Sequence, residues 1–237
     1  MTNRAGDLDA LLDSMGQGIQ TIQAANEGIE AVTAFVDQLK SVATSASALD
    51  AEADGYADEL EKYQNQYNAI LTEIATIAKD SGYQGVNLLQ DNELTVMFNE
   101  SRSHSLVIQG QDITAGMATA ADSDAAVSFA WDNGTGAGNA AWGDADDVNK
   151  ALDAIVDVTN YLRGYATELG NNFSIIQTRQ DFTESLIDVL ETGADNLVLA
   201  EMNEESANYL ALQTRQQLAV NSLSLASQSA QSVLKLF

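Results

Sequence analysis

The chain has 237 residues, 35 of them acidic against 10 basic, for a formal net charge of −25. A surface of that sign repels nucleic-acid phosphates and anionic lipid headgroups, which excludes both as electrostatic partners. There is no Cys, so disulfides and thiolate chemistry are excluded, and the single histidine, His104, rules out paired-histidine zinc sites. Hydrophobic residues make up 45% but aromatics only 6%, which suits a folded chain better than an enzyme wrapped around a deep pocket. Pro is also absent, as long helices favour. No apolar run approaches the roughly 20 residues of a membrane span.

From Asp7 to Ala48 a seven-residue series, Leu8, Met15, Ile22, Ile29, Val36 and Ala43, predicts a long helix with a coiled-coil seam. Leu12, Ile19, Asn26 and Thr33 are its expected companions. Gly16, Gly18 and Gly28 weaken that helix by up to about 1 kcal/mol each and are expected to admit another backbone. A break and restart fall around Gly55. Tyr56, Leu60, Tyr63, Tyr67, Ile70, Ile74 and Ile77 then predict a second amphipathic helix ending near Gly82. The period changes to two in "ELTVMFNE" and "SHSLVIQG", which read as antiparallel strands joined by a turn at "NESRS". "AAVSFAW" reads as a third short strand, and "DNGTGAGNAAWGDADD" as a loop.

Helical spacing returns at Val148 and continues through Leu152, Ile155, Leu162, Leu169, Ile176, Ile187 and Leu190 to Leu197. At about 1.5 Å per residue this stretch would extend roughly 70 Å, against a radius of gyration of about 18 Å for a compact domain of this length. The seam from Leu8 to Leu197 is expected to be core. The predicted fold is mainly α, an elongated antiparallel coiled-coil rod with a small β-hairpin. Beyond it, Leu212, Val220, Leu223, Ala226, Ala230, Leu234 and Phe237 form one stripe of a terminal helix. Ala207, Ala211, Leu218 and Leu225 form a second, about 140° away. Two stripes call for neighbours on two sides. Leu212, Leu218, Val220, Leu223, Leu225, Leu234 and Phe237 are therefore candidate interface residues.

The ending "LALQTRQQLAVNSLSLASQSAQSVLKLF" resembles the Gln-rich C-terminal helix of bacterial flagellins. "DSGYQGVNLL", with Gly85, Asn87, Leu88 and Leu89, resembles the segment that follows their second core helix. "MGQGIQTIQAANEGIEAVTAFVDQLKSVATSA" resembles their first long helix. The resemblance spans nearly the whole chain apart from the loop at 122–147.

The resemblance implies a structural subunit of the extracellular flagellar filament, cytoplasmic before export, which self-assembles through its helices. It also implies a division into N-terminal rod helices (1–84), a hairpin and loop region (85–147), a C-terminal rod helix (148–193) and a C-terminal inner-core helix (194–237). The match begins inside the family's pattern, so the chain reads as an N-terminally truncated form lacking the N-terminal inner-core segment. Other flagellin subunits are the implied partners. So is an export chaperone gripping the C-terminal helix. The related hook–filament junction protein and a flagellin-like polysaccharide-binding surface protein are the alternative readings.

Other motifs carry less. Asp144, Asp146 and Asp147 lack the ordered spacing of a calcium loop. Asn99 and Asn133 match the short glycosylation pattern. His104 has no acid–base partner in the sequence, and no motif gathers carboxylates for catalysis. No catalytic, metal or cofactor residue is assigned, and no membrane insertion is expected. In flagellins the first rod helix carries part of the surface that the innate immune receptor recognises. Here Lys40 stands at the family's Arg position and Ser41 replaces its usual Glu, removing bidentate donation and a carboxylate. The expected outcome in a reporter-cell assay is weak or absent receptor activation. Potency comparable to a strongly stimulating flagellin would contradict that.

Overall fold

The computed structural model describes residues 2–121, 126, 128–131 and 137–234. Its elements are α1 (Thr2–Ser47), α2 (Tyr56–Asp80), β1 (Glu93–Met97), β2 (Ser105–Gln109), α3 (Ile113–Ala120) and α4 (Ala145–Leu234). They divide into two compact units, Leu8–Glu184 and Met1–Asp7 with Ser185–Phe237.

Within Leu8–Glu184, α1, α2 and α4 enclose one apolar core. The predicted series Met15, Ile22, Ile29, Val36 and Ala43 is buried on α1. Its companions differ from those expected. Ala25, Val32, Leu39 and Ala46 are buried beside it, whereas Leu12, Ile19, Asn26 and Thr33 are only half-buried. The reason is polarity: the line three residues on is apolar throughout, while the line four residues on contains an amide and a hydroxyl. Thr33 Oγ1 turns back to donate to the Ile29 carbonyl at 2.8 Å.

Of the three α1 glycines expected to admit a backbone, Gly18 and Gly28 admit side chains instead, and Gly16 has open space around it. A Cβ at Gly18 would meet Val96 Cγ2 at 2.7 Å, and one at Gly28 would meet Leu89 Cδ1 at the same distance. Gly18 also lies near Ile176 of α4. Gly28 and Tyr165 of α4 both meet the Leu88–Leu89 segment. In this unit, α1 and α4 therefore run in opposite directions.

The link from α2 to the hairpin is tightly tied. Gln84 and Gly85 both adopt positive φ, 49° and 84°, as a two-residue turn between Tyr83 and Val86 requires. Asn87, 7% exposed, then serves two elements. Its Nδ2 donates to the carbonyls of Ala78 at 2.8 Å and Lys79 at 3.0 Å, satisfying the end of α2. Its Oδ1 accepts from Leu89 N at 2.9 Å. From α4, Tyr165 Oη donates to the Leu88 carbonyl at 2.6 Å.

The hairpin has the predicted strands, with Leu94 opposite Ile108 and Val96 opposite Leu106. Val96 and Ile108 point into the core. The Arg179 guanidinium of α4 sits 5.3 Å from the Phe98 ring centroid, a cation–π contact at the turn end of the hairpin.

Two features differ from the sequence expectations. Helix α3 was not anticipated. Its signal was Asp112, whose carboxylate caps the helix by accepting from Thr114 N and Ala115 N. The stretch read as a third strand is described at Ala126 and Ser128–Trp131, where only an isolated bridge from Trp131 to Gly138 forms; Ala125 and Val127 lie outside the described residues.

The described end of the expected loop is held as a strap along α2. Asn68 Oδ1 accepts from Ala140 N at 2.7 Å, and its Nδ2 donates to the Ala140 carbonyl at 3.0 Å. Gln64 Nε2 donates to the same carbonyl at 3.1 Å, and Thr72 Oγ1 accepts from Gly138 N at 2.8 Å. Gln64, Asn68 and Thr72 recur every four residues, so one face of α2 presents polar partners to an extended backbone. The Trp142 ring packs 4.9 Å from Tyr67. The Tyr67 hydroxyl has no hydrogen-bond partner among the described residues, and burial pushes its pKa up.

Replacing Asn87 with Ala strips the α2 carbonyls and the Leu89 amide of their partners. We expect a loss of about 2–4 kcal/mol in urea unfolding, and a loss under about 0.5 kcal/mol would contradict this role.

Candidate assembly surface

Helix α4 begins with its own caps. Asp144 Oδ1 accepts from the amides of Asp146 at 2.9 Å and Asp147 at 3.1 Å. Asp147 Oδ2 accepts from Gly143 N, and Lys150 Nζ donates to its Oδ1 at 2.9 Å. The Gly143 amide and the Lys150 ammonium hold the Asp147 carboxyl below its ordinary range. These carboxylates serve the helix start. Among the described residues no group of three or more potential metal ligands forms.

From Ala145 to Ile176 one side of α4 closes the core of the Leu8–Glu184 unit, with Val148, Ile155, Leu162, Leu169 and Ile176 buried. In the other unit the cover runs out. Ile187 is still buried, Leu190 and Ala194 are half-buried, and Leu197 is 59% exposed. This corrects the expectation that the seam is core as far as Leu197. Every residue from Asp195 to Ser232 is exposed.

Five of the seven interface residues read from the sequence lie in this stretch. Leu212, Leu218, Val220, Leu223 and Leu225 are each at least 60% exposed. α4 continues through Leu234, whose side chain is outside the described set, and Phe237 lies beyond the described residues. The helical period puts Leu212, Val220 and Leu223 on one side, with Leu218 and Leu225 about 140° around.

The exposed apolar surface also begins earlier than the sequence reading had it, with Val198, Leu199, Met202, Tyr209 and Leu210. Glu201, Glu204 and Glu205 obscured that start by breaking the run of apolar residues. All 35 acidic residues of the chain precede Ser206; after it stand only the two bases Arg215 and Lys235. The most apolar part of the helix therefore escapes the self-repulsion that the rest of the chain carries.

Fully burying a Leu or Val side chain contributes about 1.5–3 kcal/mol. The five described positions together represent roughly 7–15 kcal/mol of gross burial before association costs are subtracted. Contiguous exposure on this scale makes the stretch a candidate interaction surface.

The remaining candidates sit apart from it. Lys40 and Ser41 are exposed near the end of α1. His104 is exposed at the hairpin turn, where Asn99 Nδ2 lies 3.1 Å from its Nδ1. Asn133 lies outside the described residues.

A folded helical unit and a long exposed apolar stretch of helix are what a subunit of an assembly would show, and comparison with known proteins gives the family. Residues 152–237 match the family model described as "Bacterial flagellin C-terminal helical region". A flagellin of Brucella melitensis is 31% identical over 232 residues, covering 96% of this chain and 78% of that protein. Flagellin C of Rhizobium meliloti is 25% identical over 260 residues, covering 97% and 81%. The crystal structure of Bacillus cereus flagellin aligns with a TM-score of 0.54 over 70% of this chain and 86% of that one. At 9% identity this last likeness concerns the fold alone. The chain belongs to the flagellin family. It is a structural subunit of the flagellar filament and not an enzyme.

Proposed function

We propose that this chain joins the filament by burying the exposed face of α4 beyond Asp195 against other copies of itself. One observation carries the reading: a stretch rich in Leu, Val and Ala is exposed at every residue from Asp195 to Ser232. Leu212, Leu218, Val220, Leu223 and Leu225 supply the apolar contacts, and the sequence period extends the face to Leu234 and Phe237. Since the two stripes lie on different sides of the helix, each subunit engages more than one neighbour. The role is mechanical, and the completed polymer lies outside the cell.

Before export the same face needs cover, because an apolar helix left in water associates without selectivity. A dedicated export chaperone gripping α4 supplies it. Pull-down with that chaperone should capture the full chain and lose a form ending near Glu205; equal capture of both would refute the assignment.

The assembly reading is tested by substituting Leu223 and Leu225 with Asp. Both side chains are exposed in the lone subunit, so the thermal midpoint should stay within about 2 °C of the unmodified chain. Pelletable polymer should fall at least about tenfold, the equivalent of roughly 1.4 kcal/mol for the two side chains together. Unchanged polymer yield would contradict the reading.

A further inference from the structure

The chain contains five methionines and no cysteine. Met15 and Met117 are fully buried in the core and Met97 is half-buried on the hairpin, whereas Met202 is 61% exposed. Met202 also stands in a particular place. By the helical period it lies within about 60° of Val198, Tyr209, Val220 and Leu223 on α4, which are themselves exposed. The most accessible sulfur among the described residues is thus part of the apolar stripe.

We propose that Met202 is a modification site, an oxidant-sensitive position whose conversion to the sulfoxide weakens assembly. The proposal rests on the reading of that face as a contact between copies. The oxidant class is a peroxide. A lone pair on the Met202 sulfur attacks one oxygen of hydrogen peroxide, the O–O bond breaks, an S=O bond forms and water leaves. Sulfur loses two electrons and the peroxide gains them. No thiol in the chain competes for the oxidant. Hydrogen peroxide is uncharged, so the neighbouring carboxylates of Glu201, Glu204 and Glu205 do not repel it. The product replaces a flexible apolar side chain with a polar, chiral one. A sulfoxide oxygen is a strong acceptor, and burying it against a neighbour's Leu or Val leaves it unsatisfied. The modification is reversible by methionine sulfoxide reductases acting on the two epimers.

The test uses the full chain as a dilute monomer. It is exposed to hydrogen peroxide and quenched with catalase, and oxygen uptake at each methionine is read by peptide mass spectrometry. The concentration at which pelletable polymer appears is then measured. Met202 should oxidise at least about tenfold faster than Met15 and Met117. The polymerisation threshold of the treated chain should rise about tenfold. A Met202→Leu chain should show the same threshold with and without peroxide, whatever that threshold is. Oxidation of Met202 no faster than of Met15 would overturn the proposal, as would a Met202→Leu chain that peroxide disables as it does the unmodified one. Untreated protein that never polymerises would instead overturn the copy–copy reading, and the proposal with it, even where the oxidation pattern is as expected.

Discussion

Burial of apolar helix faces is the interaction on which this structure depends, and the chain satisfies it only in part. In the Leu8–Glu184 unit, Leu, Ile, Val and Ala at helical spacing find one another across α1, α2 and α4. Beyond Asp195 the same kind of residues recur on α4, and no described element covers them. Water is the alternative solvent for those side chains, and it is unfavourable by about 25 cal/mol per Å². In the proposed assembly a second copy of the chain removes that cost with surfaces the molecule already has. The absence of acidic residues after Glu205 keeps that stretch free of the negative charge that dominates elsewhere.

What allows one part of the molecule to hold its own shape is a set of polar ties around that core. Asn87 closes the end of α2 and orders the segment leading to the hairpin, while Tyr165 fastens the same segment to α4. On another face of α2, Gln64, Asn68 and Thr72 read the backbone of a strap that has no regular structure of its own. Both arrangements solve one problem, that buried backbone groups outside helices and sheets need partners.

Much of this was legible in the chain. The heptad from Leu8 to Ala43 marks α1, and the switch to alternation at Leu94 and Val96 marks the hairpin. The QSVL ending and the stretch around Asn87 point to the flagellin family. The misses have physical causes. The second buried line of α1 was misplaced by one residue because the heptad fixes a period without fixing which neighbour completes the seam. Helix α3 was missed because it is short and Ala-rich and shows its identity mainly through Asp112. The strap was hidden because its partners are side chains of α2 some seventy residues earlier in the chain. The extent of the uncovered surface was underestimated because three glutamates interrupt the apolar run between Leu197 and Leu210. Periodicity reports which faces are apolar; it does not report which of them the chain can cover.

Hydrogen–deuterium exchange resolved to the residues of α4 tests the central claim most directly. In the dilute monomer, amides from Asp195 to Ser232 should exchange faster than those of Val148 to Ile176, and they should become protected when the chain polymerises. Strong protection of that segment in the dilute, monomeric protein would show that the chain covers its own last helix, and would contradict the account.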